Sequence, residues 1–102
     1  YVRLEQVPVI LEYWDGAPLT LIMGDLNSEP HYPEMDLFRN AGFMDSWEEA
    51  AEGVGYTWPS YDPFERIDWV WHTQDLQARQ AEIIMTTASD HIPVLVTIDV
   101  AP

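Results

Sequence analysis

Ser89-Asp90-His91-Ile92-Pro93-Val94-Leu95-Val96-Thr97-Ile98-Asp99-Val100 decides how this chain is read. Its second half alternates: Val94, Val96, Ile98 and Val100 share one face, the period of a strand with an apolar side, predicted over 93–100. Its first half is polar, and Pro93 holds the residue before it extended. Asp90 and His91 are thus presented where a loop becomes a strand. A turn at that place needs only the Ser or the Asp, so the imidazole calls for a further reason.

Working outward, other strands and several helices appear. Ile67–Trp71 places Ile67, Trp69 and Trp71 on one face and Asp68 and Val70 on the other. Residues 80–86 read as an edge strand and Tyr56–Trp58 as a short one. Leu19–Met23 is an almost unbroken apolar run, predicting a strand covered on both faces. Leu4, Val7, Leu11 and Trp14 recur at helical spacing over 2–14, with Pro8 either kinking the helix or marking its real first turn and Asp15-Gly16 as the stop. Residues 24–33 form a loop by composition. Pro33 opens a short helix over 33–41, which buries Leu37 and Phe38 and stops at Gly42. An acidic helical turn is expected near Ser46–Ala51. Strands with interspersed helices make the fold class α/β.

At 102 residues the chain is one domain at most, and 47% apolar residues suffice for a folded core. The apolar runs are strand-sized, short of the roughly 20 residues of a membrane-spanning helix. No signal-peptide pattern opens the chain. Cysteine is absent, excluding disulfides and thiolate metal sites, and no compartment is assigned. The eighteen acidic residues against four arginines give a net charge of −14. That surface repels polyanions, which makes nucleic acid a disfavoured partner, and it suits a soluble protein, a high-salt environment or a site that gathers cations. The start at Tyr1-Val2-Arg3-Leu4 has no initiator Met or cap, and reads as a fragment.

Three polar clusters stand at strand ends: Gly24-Asp25-Leu26-Asn27, Arg66-Ile67-Asp68-Trp69 and Ser89-Asp90-His91. Taken singly each has a plain structural use, as a turn, an ion pair or a hydrogen-bonded His. Together three Asp, one Asn and one His supply hard oxygen ligands, an orienting amide and a switchable proton carrier. If the strand ends are neighbours, Asp68 orients His91 and Asp25 aligns or deprotonates a water. That is the equipment for metal-assisted attack of water on a phosphoester.

These motifs, with Tyr56-Thr57-Trp58 between them and Ile92-Pro93-Val94 after, resemble the endonuclease/exonuclease/phosphatase superfamily of exonuclease III-like and DNase I-like phosphoesterases. The resemblance spans about three quarters of the chain and covers only the C-terminal half of such a domain, so 1–102 is expected to be that portion. It implies half of a four-layer α/β sandwich, with a mixed, mainly antiparallel sheet and helices on its outer face. It implies that Asp25 activates water, Asn27 contacts phosphate, Asp68 orients His91, and His91 neutralises phosphoryl oxygens in the transition state. It further implies that Asp90 contributes to a metal site with Asp25, holding Mg²⁺ or Mn²⁺. The family's chief metal-ligating Glu, an early Asn and a further His or Tyr belong to the other half. Glu5, Glu12 and Glu29 do not match them, so the isolated chain is expected to be inactive.

Trp58 and Arg66, with Phe64, are candidates for a substrate pocket, although Arg66 equally suits pairing with an acid; Trp69 and Trp71 are more simply core. His31 could shape substrate choice or be a solvent-exposed loop residue. Glu48, Glu49 and Glu52 read as a solvated helix face. The acidity favours a small phosphoester or lipid head group as substrate. The rival expectation is a non-catalytic fragment or interaction module that keeps the motifs as scaffold. A half-sandwich exposes one sheet face, which predicts self-association.

Overall fold

The computed structural model describes residues 2–100, with side chains from residue 4 onward, so the reading drawn from Tyr1 lies outside it. Helix α1 (Val2–Trp14) carries Pro8 within it and ends at Asp15 and Gly16, both left-handed. Strand β1 (Leu21–Asp25) follows, then α2 (Pro33–Asn40), β2 (Met44–Asp45) and α3 (Ser46–Ala50). The chain closes with β3 (Asp68–His72), β4 (Leu76–Ile83) and β5 (Val94–Val100). One sheet has the order β1-β3-β2 and the other pairs β4 with β5. All these pairings are antiparallel.

Alternation along β3 builds the core. Ile67, Trp69 and Trp71 are buried and Asp68 and Val70 half-buried, as the period of two requires. Trp69 and Trp71 stack with centroids 5.1 Å apart, and Phe38 of α2 stacks on Trp71 at 5.1 Å. Val7 of α1, Met35 and Phe43 complete this cluster. Both longer helices therefore cover the face of the sheet that β3 makes apolar. Pro33 at the first turn has no N–H to leave unpaired there, and the acidic Glu34 and Asp36 interact favourably with the positive end of the helix dipole, so all three favour the start of α2.

The short α3 is held by side chains rather than by its length. Asp45 caps it by accepting the Trp47 N–H at 3.1 Å, and the Asp45 carboxylate also takes two bonds from Arg66, at 2.8 and 2.5 Å. Glu48, Glu49 and Glu52 are all exposed as expected of a solvated face, but the Glu49 carboxylate turns back toward β3 and β4. It lies 3.2 Å from Nε2 of the fully buried His72, whose Nδ1 donates to the Thr73 carbonyl at 2.7 Å, and it also accepts the Ala78 N–H.

Three sequence expectations are corrected. The Leu19–Met23 run is not covered on both faces: β1 has β3 as its one strand neighbour among the described residues, and Leu19, Leu21 and Met23 are exposed. Tyr56–Trp58 makes only a single bridge, between Trp58 and Glu65, because the chain turns at once. The strand expected over 80–86 starts earlier, at Leu76, and ends at Ile83. Strand β5 spans nearly the predicted range, with Val94, Val96 and Ile98 half-buried and Leu95 exposed. Among the described residues, no helix is long and apolar enough to cross a membrane.

Candidate active site

Register brings the first two carboxylates together. Strands β1 and β3 pair so that Asp25 stands opposite Asp68 at one end of the ladder. Gly24, just before, has φ 143°, a conformation that side chains rarely adopt, and it turns the strand end toward the loop. The Asp25 carboxylate accepts the backbone N–H of Asn27 at 2.8 Å, and Asn27 sits in the left-handed region that Asn tolerates best after Gly. Beyond it, Ser28 is fully buried, its carbonyl accepting the Trp69 indole N–H at 2.8 Å and its hydroxyl donating to Glu34 at 3.1 Å. The loop bearing Asn27 is thereby anchored to the core.

His91 arrives from the loop before β5 and spans both carboxylates. Its Nδ1 donates to Asp68 Oδ2 at 2.7 Å, since an ionised carboxylate can only accept, and its Nε2 lies 3.7 Å from Asp25 Oδ2. The hydrogen bond to Asp68 holds the imidazole above its ordinary 6.5, with the charges of Asp68, Asp25 and Asp90 adding to it and partial burial opposing. One ligand atom from each of Asp25, Asp68 and His91 lies within 4.8 Å of the others. A cavity of about 370 Å³ opens beside them, bordered by Gly24, Asp68, His91 and Pro93. Such an arrangement can hold a proton on the imidazole, present a free carboxylate to water, and offer oxygen to a cation.

A family model described as the endonuclease/exonuclease/phosphatase family matches residues 6–91. The chain belongs to that family. Solved structures agree on the fold. A conserved protein of unknown function from Enterococcus faecalis V583 is 27% identical with a TM-score of 0.82, the match covering 95% of this chain and 44% of that one. An endonuclease/exonuclease/phosphatase family protein from Bacteroides thetaiotaomicron is 20% identical with a TM-score of 0.84, over 94% and 44%. A mannosyl-6-phosphatase from Bacteroides thetaiotaomicron VPI-5482 is 20% identical with a TM-score of 0.82, over 95% and 45%. The chain therefore spans less than half the length of these structures. A search of curated proteins gives no significant match. The mixed α/β fold with antiparallel sheets is that of this family over part of its domain.

The residues expected from the family motifs fall into two groups. Asp25, Asp68 and His91 converge, with Asn27 in the turn that follows Asp25. Asp90 lies outside that three-residue group. Its side chain is next to the Ser89 hydroxyl at 3.4 Å, and its charge acts on His91 through space. Trp58 packs edge-on against the exposed Phe64, centroids 5.9 Å apart. Arg66 borders a cavity of about 470 Å³ with Glu29, His31 and Tyr56, yet its guanidinium is buried, bound to Asp45 and lying 4.1 Å over the Trp69 ring. His31 is exposed and packs on Tyr32 at 4.8 Å.

Sequence reasoning missed the polar braces behind the site. Thr57 is buried at the junction of the Asp68 strand and the His91 loop, and Ser60 bonds the Ser89 and Asp90 carbonyls. The available signal was Thr57 itself, a hydroxyl between two aromatic residues in a family motif.

Proposed function

We propose that these residues belong to a metal-dependent phosphoester hydrolase, to which this chain contributes the water-activating and transition-state-stabilising side of the site. The observation that carries the reading is His91, bonded to Asp68 on one nitrogen and facing Asp25 with the other. The hydrogen bond to Asp68 orients the ring so that Nε2 points into the site, and it raises the ring's proton affinity, which favours the cationic form where phosphoryl oxygens gain charge. Asp25, exposed and with one oxygen committed to the Asn27 N–H, uses the other to align a water or take its proton. Asn27, in the turn after Asp25, is assigned the phosphate contact on the family motif.

The donor set fits a hard divalent cation such as Mg²⁺ or Mn²⁺. Its available donors are carboxylate oxygens, chiefly those of Asp25, while the imidazole is already engaged by Asp68; a contribution from Asp90, next to His91 in the chain, rests on the family motif. Such a cation polarises the phosphoryl group and lowers the proton affinity of bound water. Residues outside these 102 complete its ligand set, and the chain by itself is inactive. The net charge of −14 favours a small phosphoester or lipid head group over nucleic acid, and a mannosyl-6-phosphatase shares the fold.

The test is hydrolysis of nitrophenyl phosphate mono- and diesters with Mg²⁺ or Mn²⁺ by the longer polypeptide that carries this segment. Asp25→Ala and His91→Ala should each lower the rate by about 10²–10⁴-fold. Variants that match the parent in that assay would remove the assignment.

A further inference from the structure

Asp68 begins β3 while His91 lies in the loop before β5, 23 positions on, so something must set their separation. The short backbone bridge between Trp58 and Glu65 places Thr57 at that junction. Thr57 is fully buried, and each of its polar groups is used. Its N–H donates to the Glu65 carbonyl at 2.8 Å. Its Oγ1 accepts the N–H of Ile67 at 3.3 Å and of Asp68 at 3.4 Å. Its carbonyl accepts the N–H of Ile92, the residue after His91, at 2.7 Å. Three positions on, Ser60 grips the same loop from its other side. Its N–H donates to the Asp90 carbonyl at 2.8 Å and its hydroxyl to the Ser89 carbonyl at 2.5 Å.

We propose that Thr57 is a positioning residue that sets the Asp68–His91 hydrogen bond, its hydroxyl holding the Asp68 backbone while its carbonyl holds the His91 loop. Of the bonds Thr57 makes, those to its hydroxyl are the ones that a side-chain substitution removes without cutting the chain's own backbone bonds. Valine keeps the shape of threonine and deletes the acceptor, leaving two buried N–H groups without it. Serine keeps the acceptor. The significance for catalysis rests on the hydrolase reading, but the brace itself can be measured without turnover.

The experiment compares the 102-residue chain with Thr57→Val and Thr57→Ser by ¹⁵N NMR of the His91 ring, with chelator present and circular dichroism to follow the fold. The parent and Thr57→Ser should show an Nδ1–H signal shifted downfield by its bond to a carboxylate. In Thr57→Val that proton should exchange at least about tenfold faster, the effect of losing one hydrogen-bond acceptor. A Thr57→Val signal unchanged in shift and exchange overturns the proposal, as does loss of the signal in Thr57→Ser. Amide exchange in the unsubstituted chain gives a second arm that does not depend on the valine variant folding. The N–H groups of Ile67 and Asp68 should be protected, and exchange as fast as that of exposed loop amides overturns the proposal. If the brace holds while Asp25→Ala leaves hydrolysis by the longer polypeptide untouched, the hydrolase reading has failed and the positioning role has not.

Discussion

Replacing Asp45 by Ala should be among the most damaging single changes in this chain. The Asp45 and Arg66 side chains are 3% and 8% exposed, so their charges are almost fully withdrawn from water. Two bonds, at 2.8 and 2.5 Å, join them, and Asp45 also caps α3 through the Trp47 N–H. Removing the carboxylate strands a guanidinium with little but the Trp69 face above it. Breaking a buried pair in this way costs about 3–5 kcal/mol, and loss of a cap about 1 kcal/mol more. One carboxylate serves both roles, so the sum is not simply additive, and about 4 kcal/mol is the expected loss. That is a large share of the roughly 5–15 kcal/mol that holds a domain together. Urea unfolding followed by tryptophan fluorescence reads it as a midpoint shift of about 2 M at unchanged slope. The double variant Asp45→Ala/Arg66→Met, which buries no charge, should recover part of the loss. A single variant costing less than about 1 kcal/mol, or a double variant less stable than the single, refutes the reasoning.

Gly55→Ala should cost about 2–4 kcal/mol in the same assay, because a Cβ there meets the Trp47 ring at 2.6 Å and φ is 67°; Gly53→Ala, with φ 85° and open space, should cost only about 1 kcal/mol. His91 titrates above 6.5 in the folded chain, so its share of stability is complete below its unfolded value and lost as pH rises through the folded one. NMR titration of Asp68→Asn should bring His91 back down toward 6.5, and an unmoved midpoint would deny Asp68 its part. Added Mn²⁺ should broaden resonances around Asp25 and do so much less in Asp25→Asn, with chelator reversing the effect; equal broadening in both would place the cation elsewhere.

The site was more legible in the sequence than its support. Asp25, Asp68 and His91 could be found because each is a polar residue at the mouth of an apolar strand, a local contrast that periodicity exposes. The strand faces of Ile67, Trp69 and Trp71 follow from the same alternation. What failed was coverage. The run around Leu21 and Met23 is apolar, but an apolar strand says nothing about which neighbours lie on it, and here both side chains are exposed. Arg66 was open to two readings because its partner, Asp45, lies 21 positions away on an element of five residues or fewer. Thr57 was visible as a motif letter. Its role depends on backbone groups of Ile67, Asp68 and Ile92, and backbone groups carry no sequence signature.

Asp25 and Asp68 face each other directly across the β1–β3 ladder, and that pairing makes the site a matter of counting. Side chains alternate between faces, so moving either strand by a single position sends its carboxylate to the opposite side. Exchanging Met23 for another apolar residue leaves the two acids opposed. Deleting one residue between Leu21 and Gly24 would part them while leaving the composition, the hydropathy and both motifs almost intact. Descendants of this gene should therefore drift freely among apolar letters at Leu21–Met23 and hardly at all in the length of β1. A copy one codon shorter there would still look like a family member and would have lost the geometry.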